Sequence, residues 1–221
     1  MRLRPIEWTG RALRRAGTEM LRRGGIKGIW FDVGAHHGEF TLSYANRNPG
    51  LTIYAFEPNL RAAVSLMGRA PNFVVIPIAI AETDGHAKFN INSMDAASSL
   101  MQICEEAREA WIGGTSLSVE STVYVPTIRL DTFLNLFKIP FVNLLKIDAQ
   151  GMDLAVIRSA GDRLRDIAKI TLEVDVSQKP LYRGAPSKSE VLDFLNSAGF
   201  TLIATERQSY GQEENLTFER S

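Results

Sequence analysis

From Gly28 onward, short apolar runs alternate with stretches whose apolar residues recur at helical spacing. Ile29-Trp30-Phe31 predicts a strand that stops at Asp32-Val33-Gly34. A helix from Glu39 to Asn46 follows, then a second strand from Leu51 to Phe56 that ends at Glu57-Pro58. Residues 59–69 read as a helix and Phe73 to Ile78 as a third, buried strand. The same rhythm returns later: a strand over Leu144 to Asp148, a helix from Met152 to Ser159, a strand over Ile170 to Val174, a helix from Ser187 to Ala198 and a strand over Phe200 to Ala204. Leu216-Thr217-Phe218 is short and flanked by polar residues, which suits a sheet edge.

Strands alternating with helices of about ten residues make βαβ units, so the expected fold is α/β, with a mostly parallel sheet covered on both faces. The interval 84–128 breaks the rhythm. His86 to Ile91 and Ser118 to Ile128 read as extra strands around a polar helix, Glu105 to Trp111. Ahead of the sheet, residues 9–23 predict a helix that Thr9 can cap and Gly24-Gly25 end, with a thin stripe of Leu13, Ala16, Met20 and Leu21. The expected organisation is a helical arm over 1–27 and one α/β domain over 28–221, with 84–128 inserted over its site.

Composition narrows the setting. The chain has 221 residues and is 45% hydrophobic. Its longest apolar run, Phe73 to Ala81, contains Pro77 and falls far short of the roughly 18 residues a membrane span needs. No apolar leader is evident, and the lone Cys104 excludes a disulfide framework, so a reducing cytoplasm is the expected location. The 25 basic and 25 acidic side chains cancel overall, but unevenly. Residues 1–27 hold eight basic and two acidic groups, a net +6, which leaves the body at −6. The plain reading of the arm is a solvated helix packed on the acidic body. Its sharper readings are weak contact with an anionic surface, a negatively charged substrate or a protein partner. Nucleic acid is not expected as a partner, because the body is acidic and has no basic surface interleaved with aromatics.

In an open α/β sheet, ligands sit at the carboxyl ends of the strands. Two turns here suit that place. The first is Asp32-Val33-Gly34-Ala35-His36-His37-Gly38, whose glycines let backbone approach a ligand. The second carries Glu57, which lies 23 residues after Gly34 and can accept both hydroxyls of a ribose. A dinucleotide fingerprint would need glycines at 34, 36 and 39, but His36 and Glu39 stand at two of these positions. There is no phosphate-binding G-x-x-x-x-G-K-[ST] either. An acid ahead of the first glycine favours a cationic ligand over a pyrophosphate, and S-adenosylmethionine has a ribose, an ammonium, a sulfonium and no phosphate.

The chain resembles the FkbM-type S-adenosylmethionine-dependent methyltransferase family. The resemblance rests on Phe31-Asp-Val-Gly-Ala-His-His-Gly-Glu-Phe-Thr41, Tyr54-Ala-Phe-Glu-Pro-Asn59, Ala79-Ile-Ala-Glu-Thr-Asp-Gly85 and Ser98-Ser-Leu100. It continues through Ile128-Arg-Leu-Asp-Thr-Phe-Leu134, Leu144-Leu-Lys-Ile-Asp-Ala-Gln-Gly151 and Leu172-Glu-Val174. It implies a Rossmann-like class I methyltransferase fold, with a seven-stranded sheet whose last strand is antiparallel. It also implies methyl transfer, usually to a hydroxyl oxygen. Carried over by position, Asp32, Gly34, Ala35 and Gly38 would surround the methionine part of the cofactor, and Glu57 with Pro58 would meet the ribose. Glu82 would lie near the adenine, Ser99 at the pocket and Asp148 near the reactive methyl. Two departures stand out: Gln150 replaces the usual Glu, and His36-His37 replace the usual Asn and a variable residue.

An alcohol nucleophile must lose a proton, and Asp148, His36 and His37 are the candidate bases. The histidine pair is not expected to hold metal, because adjacent side chains diverge and no carboxylate–histidine cluster accompanies them in sequence. Trp111, Tyr124 and Tyr182 read as packing residues. The expected function is O-methylation of a hydroxyl on a small natural product or sugar. A non-catalytic cofactor-binding scaffold, motivated by Gln150, is the alternative. A nicotinamide-dependent oxidoreductase is a weaker one, against which the failed glycine pattern counts.

Overall fold

Residues 25–221 are described in a computed structural model; the helix expected over 9–23 lies outside them. The first strand, β1 (Gly28–Val33), alternates its side chains between two cores. Trp30 joins a cluster with Leu51, Ile53 and Leu144, backed by Leu42 and Ala45 of helix α1 (Leu42–Arg47) and Leu66 of α2 (Leu60–Leu66). Phe31 faces the other way, onto Phe133, Leu145, Val156 and Leu195. That period of two, apolar on both faces, is what a sheet between two helical layers requires.

The remaining elements run in chain order as β2 (Leu51–Phe56), β3 (Phe73–Ile76), β4 (Ala79–Ile80), β5 (Gly85–Asn92), α3 (Glu105–Ala110), β6 (Val119–Ile128) and α4 (Leu130–Leu136). Next come β7 (Leu144–Ile147), α5 (Asp153–Arg158), β8 (Lys169–Asp175), α6 (Lys188–Ser197), β9 (Phe200–Gln208) and β10 (Glu213–Arg220). The main sheet has the order β3-β2-β1-β7-β8-β10-β9, and a second sheet of order β4-β6-β5 is built from the inserted region. Only β10 is antiparallel to its neighbours in the main sheet. The carboxyl ends of β1, β2, β7 and β8 and the start of β10 therefore meet at one edge.

Four expectations change. The strand at Leu216–Phe218 is not an edge: β10 is eight residues long and lies between β8 and β9, with Leu216, Thr217 and Phe218 all buried. Its polar residues find partners inside the sheet, such as the Thr217 hydroxyl 3.1 Å from that of Thr171. The third strand, in contrast, is an edge strand rather than a buried one. It stops at Ile76, before Pro77, which has no N–H to give a ladder, and Val74 is exposed. The first helix begins at Leu42 instead of Glu39, because the chain is still turning through Gly38 at φ +77°. Finally, Ile26, assigned to the arm by the charge division, is buried in the core and donates its N–H to Asn48 Oδ1 at 2.9 Å.

Candidate active site

The site begins where β1 and β7 end. Gly34 has φ +72°, and a Cβ there would lie 1.9 Å from the Asp148 carbonyl oxygen. Only glycine lets the two strand ends meet this closely. The Gly34 and Ala35 N–H groups both donate to Phe56 O, at 3.0 and 3.1 Å, which ties the first turn to the end of β2. Beneath them Lys146 is buried, with Nζ 3.0 Å from Asp32 Oδ1, 3.0 Å from Gly34 O and 3.8 Å from Asp148 Oδ2. Burial would lower the lysine's pKa, but Asp32 and Asp148 raise it and hold it charged. Burial keeps Asp32 above the usual carboxylate range, against the opposing pull of Lys146 and the Thr41 hydroxyl.

These strand ends floor a cavity of about 550 Å³, roofed by the inserted region through Met94–Ser98 and Trp111–Gly113 and closed on one side by Ser209 and Tyr210. Of the residues expected at the site, Gly34, Ala35, His36, Glu57, Pro58 and Asp148 line it. Asp32, Gly38, His37, Glu82 and Ser99 do not. Asp32 is fully buried, spent on Lys146 and on Thr41 Oγ1 at 2.5 Å, so it braces the floor from below. Gly38 turns the chain against Leu66 and Leu42, where a Cβ would come within 2.9 and 3.0 Å. Glu82 is exposed beyond the cavity, and its carbonyl accepts from Arg129 Nη1. Ser99 is buried behind the wall, donating to Gln150 O at 2.7 Å and so fastening the insertion to the turn after β7. Tyr124, expected to pack, is exposed.

Glu57 is buried at the wall, and its two oxygens accept from His36 N at 2.7 Å and Asn59 N at 2.8 Å. Burial raises its pKa, against those two bonds. The carboxylate is thus fixed in place, with lone pairs remaining for a ligand's hydroxyls. Around it, Phe56, Pro58, Ile78 and Ile80 make an apolar slot.

Opposite Glu57 lies an acidic group that only partly stood out in the sequence. Asp148, Glu173 and Glu213 all line the cavity, at the ends of β7 and β8 and the start of β10. Burial and the nearby Asp148 push Glu173 well above the carboxylate range, and burial takes Glu213 to about 7. Glu213 also accepts from the Ser209 hydroxyl. Asp148 Oδ1 accepts from Gln150 Nε2 at 2.7 Å, and Gln150 Oε1 accepts from the Tyr182 hydroxyl at 2.7 Å. Burial raises the Tyr182 phenol well above its usual value, so it remains a donor. Gln150 thus links the two, donating a hydrogen bond at one end and accepting one at the other. Glu173 sits inside the Leu172-Glu-Val174 motif, so its number was visible in the sequence; Glu213, Tyr182 and Asp95 carried no local signal.

The histidine pair is not arranged as expected. The rings lie 4.1 Å apart, and both Nε2 atoms converge on Asp95 of the inserted region, at 3.1 Å for His36 and 3.2 Å for His37. Adjacent side chains point together here because His36 adopts φ +47°, a left-handed conformation that reverses the usual divergence. Burial would lower the His36 pKa, but Glu39 and Asp95 more than reverse it, to about 9.

An adenosyl cofactor with a cationic sulfonium fits the donors present. Glu57 would take the ribose hydroxyls, the apolar slot beside it a purine, and the acidic floor the positive charge. The strand order, the lone antiparallel strand and this cavity define a class I methyltransferase fold. The chain belongs to the FkbM methyltransferase family: residues 32–202 match the Methyltransferase FkbM domain. It is similar to the 2-O-methyltransferase NoeI of Sinorhizobium fredii, at 24% identity over 187 residues, covering 80% of this chain and 73% of that protein. Among solved structures, it resembles an rRNA methylase from Streptococcus thermophilus with TM-score 0.50 and 10% identity, covering 96% of this chain and 98% of that one. It also resembles a fibrillarin/Nop5p complex chain with TM-score 0.51 and 11% identity, covering 92% and 79%. At such identities the two structures share the fold alone.

Proposed function

We propose that this chain methylates a hydroxyl group of a small natural product or sugar, with S-adenosylmethionine as donor. The observation that carries the reading is the pair of carboxylates, Asp148 and Glu173, facing one cavity across from the diol-accepting Glu57. Carboxyl groups of this kind, which accept hydrogen bonds from hydroxyls, suit a ligand rich in them. The similarity to a 2-O-methyltransferase supports the same acceptor atom.

S-adenosylmethionine, held by Glu57 and the acidic floor, would supply the methyl group, carried on a sulfonium that leaves as the neutral thioether. Asp148, steadied by Gln150 and Lys146, orients the acceptor hydroxyl. Glu173 takes its proton, because a carboxylate whose pKa burial raises is a stronger base than one left at its ordinary value. Holding the partners in line supplies most of the rest, since orientation is worth about 7–11 kcal/mol at best. The test is calorimetry with S-adenosylmethionine and its demethylated product, followed by methyl transfer to a panel of glycosides and the matching amino sugars. Transfer to hydroxyl acceptors that falls at least 100-fold in Glu173→Gln, with cofactor binding kept, is the expected result. Binding without transfer to any acceptor would favour the scaffold reading, and transfer to amines alone would overturn the choice of oxygen.

A further inference from the structure

We propose that His36, His37 and Asp95 form a divalent transition-metal site of the zinc class at the rim of the cavity. The one nitrogen or oxygen that each side chain would offer lies within 4.8 Å of the others. What makes the cluster more than a chance meeting is how the other ring nitrogens are held. His36 Nδ1 lies 2.9 Å from Glu39 Oε1, a pure acceptor, so this nitrogen carries the hydrogen. His37 Nδ1 lies 3.1 Å from Ser65 Oγ, whose own hydrogen goes to Ala62 O at 2.7 Å, so this nitrogen is also the donor. When the rings are neutral both Nε2 atoms then present lone pairs toward the Asp95 carboxylate; when protonated they carry hydrogens toward it instead, His37 Nε2 donating to Asp95 Oδ2 at 3.2 Å. Either way the three groups need positive charge between them, from the rings' own protons or from a metal ion that displaces those protons.

A second observation points the same way. His36 Nε2 is buried and makes no hydrogen bond, although Asp95 Oδ1 is only 3.1 Å away. The two atoms are close without the alignment a hydrogen bond needs. Two imidazoles and one carboxylate form a donor set that zinc accepts, with a fourth position left open. The Glu39–His36 contact is the outer-shell carboxylate that fixes the tautomer and orientation of a metal-bound histidine. Glu39 Oε2 also accepts from His37 N at 3.1 Å, so one carboxylate braces both ligand residues. Asp95 comes from the inserted region, 58 residues from His37, so an ion here would pin the roof to the first turn. His36 and Asp95 line the cavity, so the open position would face it. The site does not depend on which molecule is methylated.

The experiment uses the untagged full chain, freed of metal and titrated with zinc by calorimetry, with cobalt as a spectroscopic probe. The expected result is one zinc per chain and a cobalt absorption band of nitrogen and oxygen ligation. His37→Ala and Asp95→Asn should each lose the band and weaken zinc binding at least about 10-fold, and Glu39→Gln should weaken it by about the same factor through the outer shell. Melting curves of the metal-free variants establish that each is folded, and S-adenosylmethionine titrations of the same samples keep this test separate from the methyl-transfer reading. Zinc binding no tighter than millimolar, or binding that both ligand variants leave unchanged, overturns the proposal and leaves the cluster as an imidazolium–carboxylate ion pair.

Discussion

At Gln150 an amide does what a carboxylate cannot do at neutral pH. Its nitrogen donates to Asp148 and its oxygen accepts from Tyr182. Gln150→Glu would set an ionised oxygen against Asp148 unless a proton were held between the two. A hydrogen bond to a charged group is worth about 1.5–3 kcal/mol, so kcat should fall roughly 10- to 150-fold at pH 7. The loss should shrink as the pH drops and the new carboxyl takes a proton; a flat pH profile would show that Gln150 serves packing alone. At the opposite wall, Glu57→Ala removes the acceptor fixed by His36 N and Asn59 N. By the same magnitude, calorimetry should find S-adenosylmethionine bound roughly 10- to 150-fold more weakly. An unchanged Kd would remove Glu57 from the cofactor site. Both residues stood in sequence motifs, but their partners did not. Nothing near Tyr182 or Asp95 in sequence announces that the one reaches Gln150 and the other the histidine pair.

Elements impose their own terms on single groups. Asp153 opens helix α5, where the helix dipole favours a negative charge by about 0.3–1 kcal/mol. It is also fully buried beside Asp148, and burial wins: its pKa is raised from 3.8 to about 7. Between those values the folded chain keeps a proton that the unfolded chain has released. Asp153 therefore costs nothing below about pH 4, and stability falls as pH rises toward 7. Asn at 153 keeps an oxygen for the Ala149 N–H and removes the titration. Asp153→Asn should match the wild type in melting temperature near pH 4 and exceed it above pH 7, by up to about 4 kcal/mol. A difference independent of pH would assign the effect to packing. The β1 turn has a sterner constraint. Gly34→Ala combines positive φ, costing about 1–3 kcal/mol, with a methyl driven into the Asp148 carbonyl, so it should destabilise by more than the strain alone. Thermal melts of the variant check this.

Elements were also where the sequence was most and least legible. Strands apolar on both faces, such as Phe31 and Trp30 in β1 or Leu144 and Leu145 in β7, signalled a sheet packed on two sides. In β10 the signal failed, because Glu213, Glu214 and Asn215 look like a solvated flank. In the fold they start a strand paired on both sides at the cavity edge. Polar residues kept for a site imitate a surface. The edge position of β3 was hidden for the opposite reason: Phe73–Ile76 is apolar throughout, although only β2 pairs with it in the sheet.

Over the whole molecule, the division of charge can be set against the residues that pack into the core. The division of charge put the boundary after Lys27, but Ile26 is 2% exposed in the core and its N–H is bound to Asn48. The core therefore reaches back at least to Ile26, ahead of the family match at residue 32. The described residues, 25–221, supply both core clusters and the cavity lining, so a chain starting at Gly25 is expected to fold and keep its stabilisation by S-adenosylmethionine, about 2.7 kcal/mol at 100 times the Kd. A chain starting at Gly28 loses Ile26 as well. Emptying a buried isoleucine site costs roughly 2–5 kcal/mol, so it should melt lower even with ligand present. The two melting curves, each with and without ligand, separate the possibilities. If the chain from Gly25 also fails to fold, the basic segment belongs to the core, and its +6 charge is part of how the acidic body is held together. If it folds and binds as the full chain does, that charge is free to act on something outside the domain.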